Sequence, residues 1–208
     1  MDDIRKLRES FRLFKNVFKD RSDELTLIKI FNETPQFPNW KTRPPIIFGF
    51  SHFHPFYEME DQRIIKLSLT NFRLKELSSE IGNFTQLRFL NLKKNRLTEF
   101  PDTFIQLQQL GYLNLSKNKF TQLPTGVCSL HQLYDLNLSN NKLTELPDTL
   151  LQLEKLEYLN LMGNRFTTIP MELAELPLLQ RLELRGNPIP KIERKKLEWL
   201  MPKVNIRF

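Results

Sequence analysis

From Ile64 to the C-terminus the chain repeats with a period of 23 residues, and no other feature of the sequence restricts its fold as strongly. The units begin at Ile64, Leu87, Leu110, Leu133, Leu156 and Leu179, and each places aliphatic residues at its first, fourth and sixth positions. Asn95, Asn118, Asn141, Asn164 and Asn187 occupy the ninth position, and Leu74, Leu97, Phe120, Leu143, Phe166 and Ile189 the eleventh. Only the first unit breaks the asparagine column, with Phe72. No unit of this length can bury its apolar residues alone, so equivalent units must stack and share a core.

Within a unit, leucines at the fourth and sixth positions alternate with polar or aromatic residues, as in a short strand with one face buried. Each unit therefore contributes one strand to a parallel sheet. Where the chain leaves the strand, interior backbone groups lose their ladder partners and need a side chain that both donates and accepts, which asparagine does. In four units the second half opens with proline and then spaces apolar residues about three apart, as in Leu146, Pro147, Leu150 and Leu153. That pattern predicts a helical or 3₁₀ turn behind the sheet.

The pattern L-x-x-L-x-L-x-x-N-x-L, in six consecutive units over about 145 of the 208 residues, resembles the leucine-rich repeat family. Among its members the chain resembles intracellular 23-residue proteins of the Ras-suppressor-like type and bacterial repeat proteins, some of which are effectors delivered into host cells. The resemblance implies an α/β solenoid, a horseshoe with a parallel concave sheet. It also implies a binding role, often by occluding or tethering a partner. The tail from Gly186-Asn187-Pro188 through Met201-Pro202 to Phe208 resembles the C-terminal cap of bacterial members.

Composition fits that reading. A chain of 208 residues with 40% hydrophobic content can form one continuous core. Its single cysteine, Cys128, permits no internal disulfide, and the cap regions lack the cysteine pairs common in extracellular relatives. A reducing compartment, the cytoplasm or a host cell, is the expectation. Cys128 lies in the helical half of its unit and reads as a packing residue. No apolar run approaches the roughly 20 residues of a membrane span, and the start Met1-Asp2-Asp3 lacks a signal-peptide core.

Three segments follow: a helical or irregular N-terminal cap over residues 1–63, six repeats over 64–190, and a C-terminal cap over 191–208. Ile4, Leu7, Phe11, Phe14 and Phe18 recur at helical spacing among arginines and lysines, predicting a basic amphipathic helix over residues 2–19. Its apolar face would cover the first repeat; membrane or groove binding is the competing use. His52 and His54 lack the further ligands a metal site needs. Glu58, Glu60 and Asp61 read as an acidic connector. In the C-terminal cap, Ile192, Leu197, Trp199 and Leu200 predict a short amphipathic helix ended by Pro202, and Val204, Ile206 and Phe208 alternate like a closing strand.

The repeats carry no phosphate-binding loop, nucleophile elbow or other catalytic constellation, and nothing implies a cofactor or small-molecule substrate. The variable positions facing the concave sheet are then the candidate site. The third column reads Lys66, Phe89, Tyr112, Asp135, Tyr158 and Arg181. The fifth reads Ser68, Asn91, Asn114, Asn137, Asn160 and Glu183; the seventh includes Lys93, Met162 and Arg185. Phe89, Tyr112 and Tyr158 are large apolar surfaces that folding gains little by exposing, and aromatic anchors commonly dominate interfaces. Stacking between neighbouring strands would alternatively account for Phe89 beside Tyr112. Asp135 lies between the tyrosines, and Arg181, Glu183 and Arg185 form a charged edge. The fifth-column asparagines belong to the repeat consensus. Six strands span roughly 24 Å by 13 Å, about 300 Å² in plan; a standard interface takes about 800 Å² per partner, so a partner would also touch adjoining loops or the N-terminal region.

The tenth position reads Arg73, Arg96, Lys119, Lys142 and Arg165, reinforced by Lys94 and Lys117 at the eighth. With a formal charge of +7, this ladder could attract nucleic acid or an acidic protein. The aromatics lie on a different face and no nucleic-acid motif is present, so a protein partner is favoured. The chain reads as a non-enzymatic protein-binding module acting through its concave face. The alternative places a membrane-binding or enzymatic activity in residues 1–63, with the repeats as a targeting arm.

Overall fold

The computed structural model describes residues 56–60 and 63–208. Its strands are β1 (Phe56–Glu60), β2 (Arg63–Ser68), β3 (Phe89–Asn91), β4 (Tyr112–Asn114), β5 (Asp135–Asn137), β6 (Tyr158–Asn160), β7 (Arg181–Glu183) and β8 (Asn205–Arg207), joined in that order in one sheet. From β2 to β8 every pairing is parallel, and β1 is antiparallel to β2. The repeats align without stagger: Lys66 lies beside Phe89, Phe89 beside Tyr112, Tyr112 beside Asp135, Asp135 beside Tyr158 and Tyr158 beside Arg181. Sequence columns are therefore physical rows across the sheet.

The other strand face supplies the core. Leu90, Leu113, Leu136, Leu159 and Leu182 are fully buried, backed by Phe84, Phe104, Phe120 and Phe166 in one continuous cluster. Behind the sheet run four 3₁₀ turns, η1 (Ser79–Asn83), η2 (Asp102–Gln106), η3 (Asp148–Gln152) and η4 (Met171–Glu175), and one short α-helix, α1 (Thr125–Cys128). Pro101, Pro124, Pro147 and Pro170 stand at the N-caps of four of these turns. Proline lacks the N–H that would go unpaired there.

The ninth-position asparagines form the expected ladder. Asn118 Oδ1 accepts from the Leu97 N–H at 3.1 Å, while its Nδ2 donates to the carbonyls of Leu92 and Leu115, both at 2.9 Å. Asn95, Asn141, Asn164 and Asn187 repeat this arrangement. Each links two neighbouring turns through a buried amide. Phe72, in the same column, is buried instead.

The eighth position has a different origin from the charge ladder that the sequence suggests. Asn71, Lys94, Lys117, Asn140, Gly163 and Gly186 all hold positive φ, between 56° and 72°. The chain makes the same left-handed turn in every repeat, a conformation natural to glycine and asparagine and costly for lysine. Lys94 and Lys117 occupy turn positions that their side chains do not favour.

The sheet extends beyond the six repeat strands at both ends. The segment read as an acidic connector is in part strand β1, and its carboxylates pair across the sheet: Glu58 with Lys66 at 2.6 Å and Glu60 with Arg88 at 2.7 Å. At the other end, helix α2 (Lys191–Leu200) buries Leu197 against the last repeat, Met201 follows it into the core, and β8 extends the sheet. The predicted helix over 2–19, the His52–His54 pair and the other residues of 1–55, with 61 and 62, lie outside the described residues.

Candidate functional site

The concave strip is built from fifth-column polar groups upward. In β3 to β6, Asn91, Asn114, Asn137 and Asn160 each accept through Oδ1 from the backbone N–H two residues on, at 2.9 to 3.0 Å. These asparagines hold the end of each strand, a local backbone role that Asn and Asp side chains perform commonly. Lys93 and Met162, in the seventh column, receive their position from this bond.

Two of the same asparagines also organise the aromatic column. Asn114 Nδ2 donates to the Tyr112 hydroxyl at 3.2 Å, and Asn160 Nδ2 to the Tyr158 hydroxyl at 3.1 Å. Both rings thus lean along their strands in the same sense. Tyr112 stacks on Phe89 with centroids 4.1 Å apart and planes within 4° of parallel. The Arg181 guanidinium lies over the Tyr158 ring, 5.6 Å from its centroid. Burial raises the hydroxyl pKa of both tyrosines. Stacking between neighbouring strands accounts for one face of Tyr112, the Arg181 guanidinium lies over Tyr158, and Asp135 stands in the row between the two tyrosines.

Asp135 stands between the tyrosines in register with both. Its Oδ1 is covered and accepts no hydrogen bond, and no cation among the described residues pairs with it. Burial raises its carboxyl pKa to about 6. A buried acceptor without a partner costs on the order of 1–3 kcal/mol.

Glu183 replaces asparagine in the fifth column of the last repeat, and here the sequence reading missed a member of the cluster. Its carboxylate is 4% exposed and faces three arginines: Arg185 at 2.9 Å, Arg207 at 3.4 Å and Arg181 at 3.9 Å. Arg207 belongs to β8, beyond the repeats, and pairs in register with Glu183. One acid among three guanidiniums leaves a local excess of two positive charges. All three arginines are about half exposed, so the edge presents cations to solvent while Glu183 braces them from below.

Other candidates lie apart from this strip. Arg96, Lys119, Lys142 and Arg165 are exposed along the turn that follows the strands. Cys128 is buried in the core, which raises its thiol pKa. Among the described residues no group of three acidic, histidine or cysteine side chains could hold a metal ion, and no helix is long and apolar enough to cross a membrane.

Comparison with known proteins follows the same geometry. Residues 131–189 match the leucine-rich repeat family model, and residues 86–107 match a second leucine-rich repeat model. A leucine-rich repeat protein of Leptospira interrogans is 42% identical over 69% of this chain and 37% of its own, with a TM-score of 0.65. The PEPR1–AtPEP1 structure is 30% identical over 80% of this chain and 25% of that chain, with a TM-score of 0.62. The BIR3–SERK2 complex of Arabidopsis thaliana is 33% identical over 62% of this chain and 71% of that chain, with a TM-score of 0.51. The present chain thus spans 37% and 25% of the length of the first two. No curated protein matches it. Repeat period, asparagine ladder, parallel sheet and these likenesses agree: the chain belongs to the leucine-rich repeat family.

Proposed function

We propose that the chain is a non-enzymatic module that binds a protein partner through the concave face, and that it acts as an effector or regulator by occluding or tethering a partner enzyme. The observation that carries this reading is the aromatic column itself: Phe89, Tyr112 and Tyr158 lie on the open sheet face, partly exposed, beside a charged edge of three arginines. Large rigid aromatics beside guanidiniums are the residue types that dominate binding energy at interfaces. Leucine-rich repeat proteins generally mediate protein–protein interaction, and the BIR3–SERK2 structure is a complex of two proteins. A cytoplasmic or host-cell location fits the absence of paired cysteines among 208 residues.

The test is partner capture by the full chain beside a Phe89→Ala, Tyr112→Ala, Tyr158→Ala variant whose fold is verified by circular dichroism. A partner held by the native chain and lost by the variant supports the concave site. Undiminished affinity in a folded variant moves the site elsewhere.

A further inference from the structure

We propose that the concave face reads one extended protein segment by two opposite charges: a lysine or arginine seated between Tyr112 and Tyr158 over Asp135, and an acidic side chain held by Arg185 and Arg207. This deepens the concave-face reading and rests on it.

The slot follows from the register. Tyr112 and Tyr158 are two strands apart, about 9.6 Å at a spacing of about 4.8 Å per strand. Their outer faces are occupied, by Phe89 at 4.1 Å and Arg181 at 5.6 Å, so both rings are held across the row and their inner faces flank Asp135. One layer of atoms in contact with both rings at about 4 Å on each side spans about 8 Å, most of that distance. A guanidinium or a lysine stem has that thickness. The site also has the polarity for a cation: ring faces attract positive charge, and the floor is the partly exposed Asp135 carboxylate, which has no cation partner among the described residues. An apolar occupant would leave the carboxylate's charge without a partner. An anionic occupant would add a second negative charge.

The second point is the arginine edge. Glu183 neutralises one of three guanidiniums, and the outward excess suits a carboxylate, which arginine holds in bidentate fashion. Arg185 lies two strands and four residues from Asp135, and Arg207 three strands and two residues away. Each displacement is about 16 Å at strand spacings of about 4.8 Å and a rise of about 3.3 Å per residue. Side chains four residues apart in an extended segment point the same way and lie about 13 Å apart, and their own reach closes the remainder. The recognised pattern is a basic residue and an acidic residue separated by three others.

The experiment selects a displayed random dodecapeptide library on the full chain, then measures the enriched peptides by fluorescence anisotropy. The expected consensus carries lysine or arginine four residues from aspartate or glutamate. Binding should fall at least tenfold for Asp135→Asn, and tenfold again from native protein when the peptide's basic residue becomes glutamine. In a double-mutant cycle, Asp135→Asn should make the protein indifferent to that glutamine exchange. Arg185→Ser should weaken only peptides that retain the acid. Circular dichroism and urea unfolding verify that each variant is folded.

Enriched peptides without a basic residue, or ones bound equally by Asp135→Asn, overturn the proposal. If those peptides are still lost with the triple aromatic variant, the concave reading stands and only the charge code falls. Peptides indifferent to both variants refute both. A purely basic consensus reduces the occupant to a lone cation and overturns the paired spacing, and failure to enrich any sequence overturns the slot.

Discussion

Replacing Asn118 by alanine tests the asparagine ladder because its partners can be followed one by one. The Leu97 N–H has Asn118 Oδ1 as its acceptor at 3.1 Å, inside the core. The two carbonyls that Asn118 serves at 2.9 Å are shared with other asparagines: Leu92 O also accepts from Asn95 at 2.8 Å, and Leu115 O from Asn141 at 3.0 Å. Asn118→Ala therefore orphans one buried donor and leaves two carbonyls with one donor each. An orphaned buried group costs about 1–3 kcal/mol, and the lost second donors and packing raise the expected total to about 2–4 kcal/mol. With a urea slope of about 2 kcal/mol/M, the midpoint followed by far-ultraviolet circular dichroism should fall by about 1–2 M. Asn137→Ala is the internal control. It removes a bond to the Ser139 N–H at 3.0 Å in a partly exposed place where water can substitute, so it should cost about 0.5–1 kcal/mol. Asn118→Asp should be worse than alanine at pH 7, since a buried carboxylate would face two carbonyl oxygens. Its folded pKa must rise above the unfolded value of about 3.9, so its deficit should shrink as pH falls towards 4. Equal midpoints for Asn118→Ala and Asn137→Ala would refute the ladder as a source of stability.

Three further outcomes follow from the same geometry. Lys117 has φ of 57°, so Lys117→Asn should stabilise by about 0.5–1 kcal/mol and Lys117→Val should destabilise by at least about 1 kcal/mol in urea titrations; no difference between them would remove the turn constraint. Asp135, with its pKa raised to about 6 by burial, binds its proton more tightly folded than unfolded, so it contributes a penalty that grows as pH rises from about 4 through 6. Asp135→Asn should consequently gain on the order of 1–2 kcal/mol at pH 8, after allowance for solvent screening, and nothing near pH 4; a gain independent of pH would contradict a buried, unpaired carboxylate. The Cys128 thiol is 1% exposed and its pKa is raised by burial, so a thiol reagent such as Ellman's should react with it only as urea unfolds the chain, and stoichiometric reaction in native buffer would place it elsewhere.

The legible part of the fold was the part that repeats. Leu90, Leu113 and Leu136 must share one burial environment because equivalent positions stack, and Asn95, Asn118 and Asn141 must share one set of backbone partners for the same reason. The third column was legible too, because strand alternation fixes which side chains face away from the core. Less legible was what depends on place in a turn or outside the period. Lys94 and Lys117 look like members of a charge ladder, yet their column is defined by positive φ, as the glycines at 163 and 186 indicate. Glu58 and Glu60 look like a connector because strand β1 lies outside the period, and nothing in a repeat register reveals an antiparallel partner.

The sequence by itself determined the period, the sheet, the asparagine ladder and the rows of residues on the concave face, since each follows from burying identical units against one another. Only the tertiary structure decided how side chains on that open face meet. The core does not constrain their rotamers: the stacking of Phe89 on Tyr112 joins strands 23 residues apart, the pairing of Arg181 and Arg185 with Glu183 is local to one strand end, and Arg207 reaches the same carboxylate from a strand that lies outside the repeat altogether.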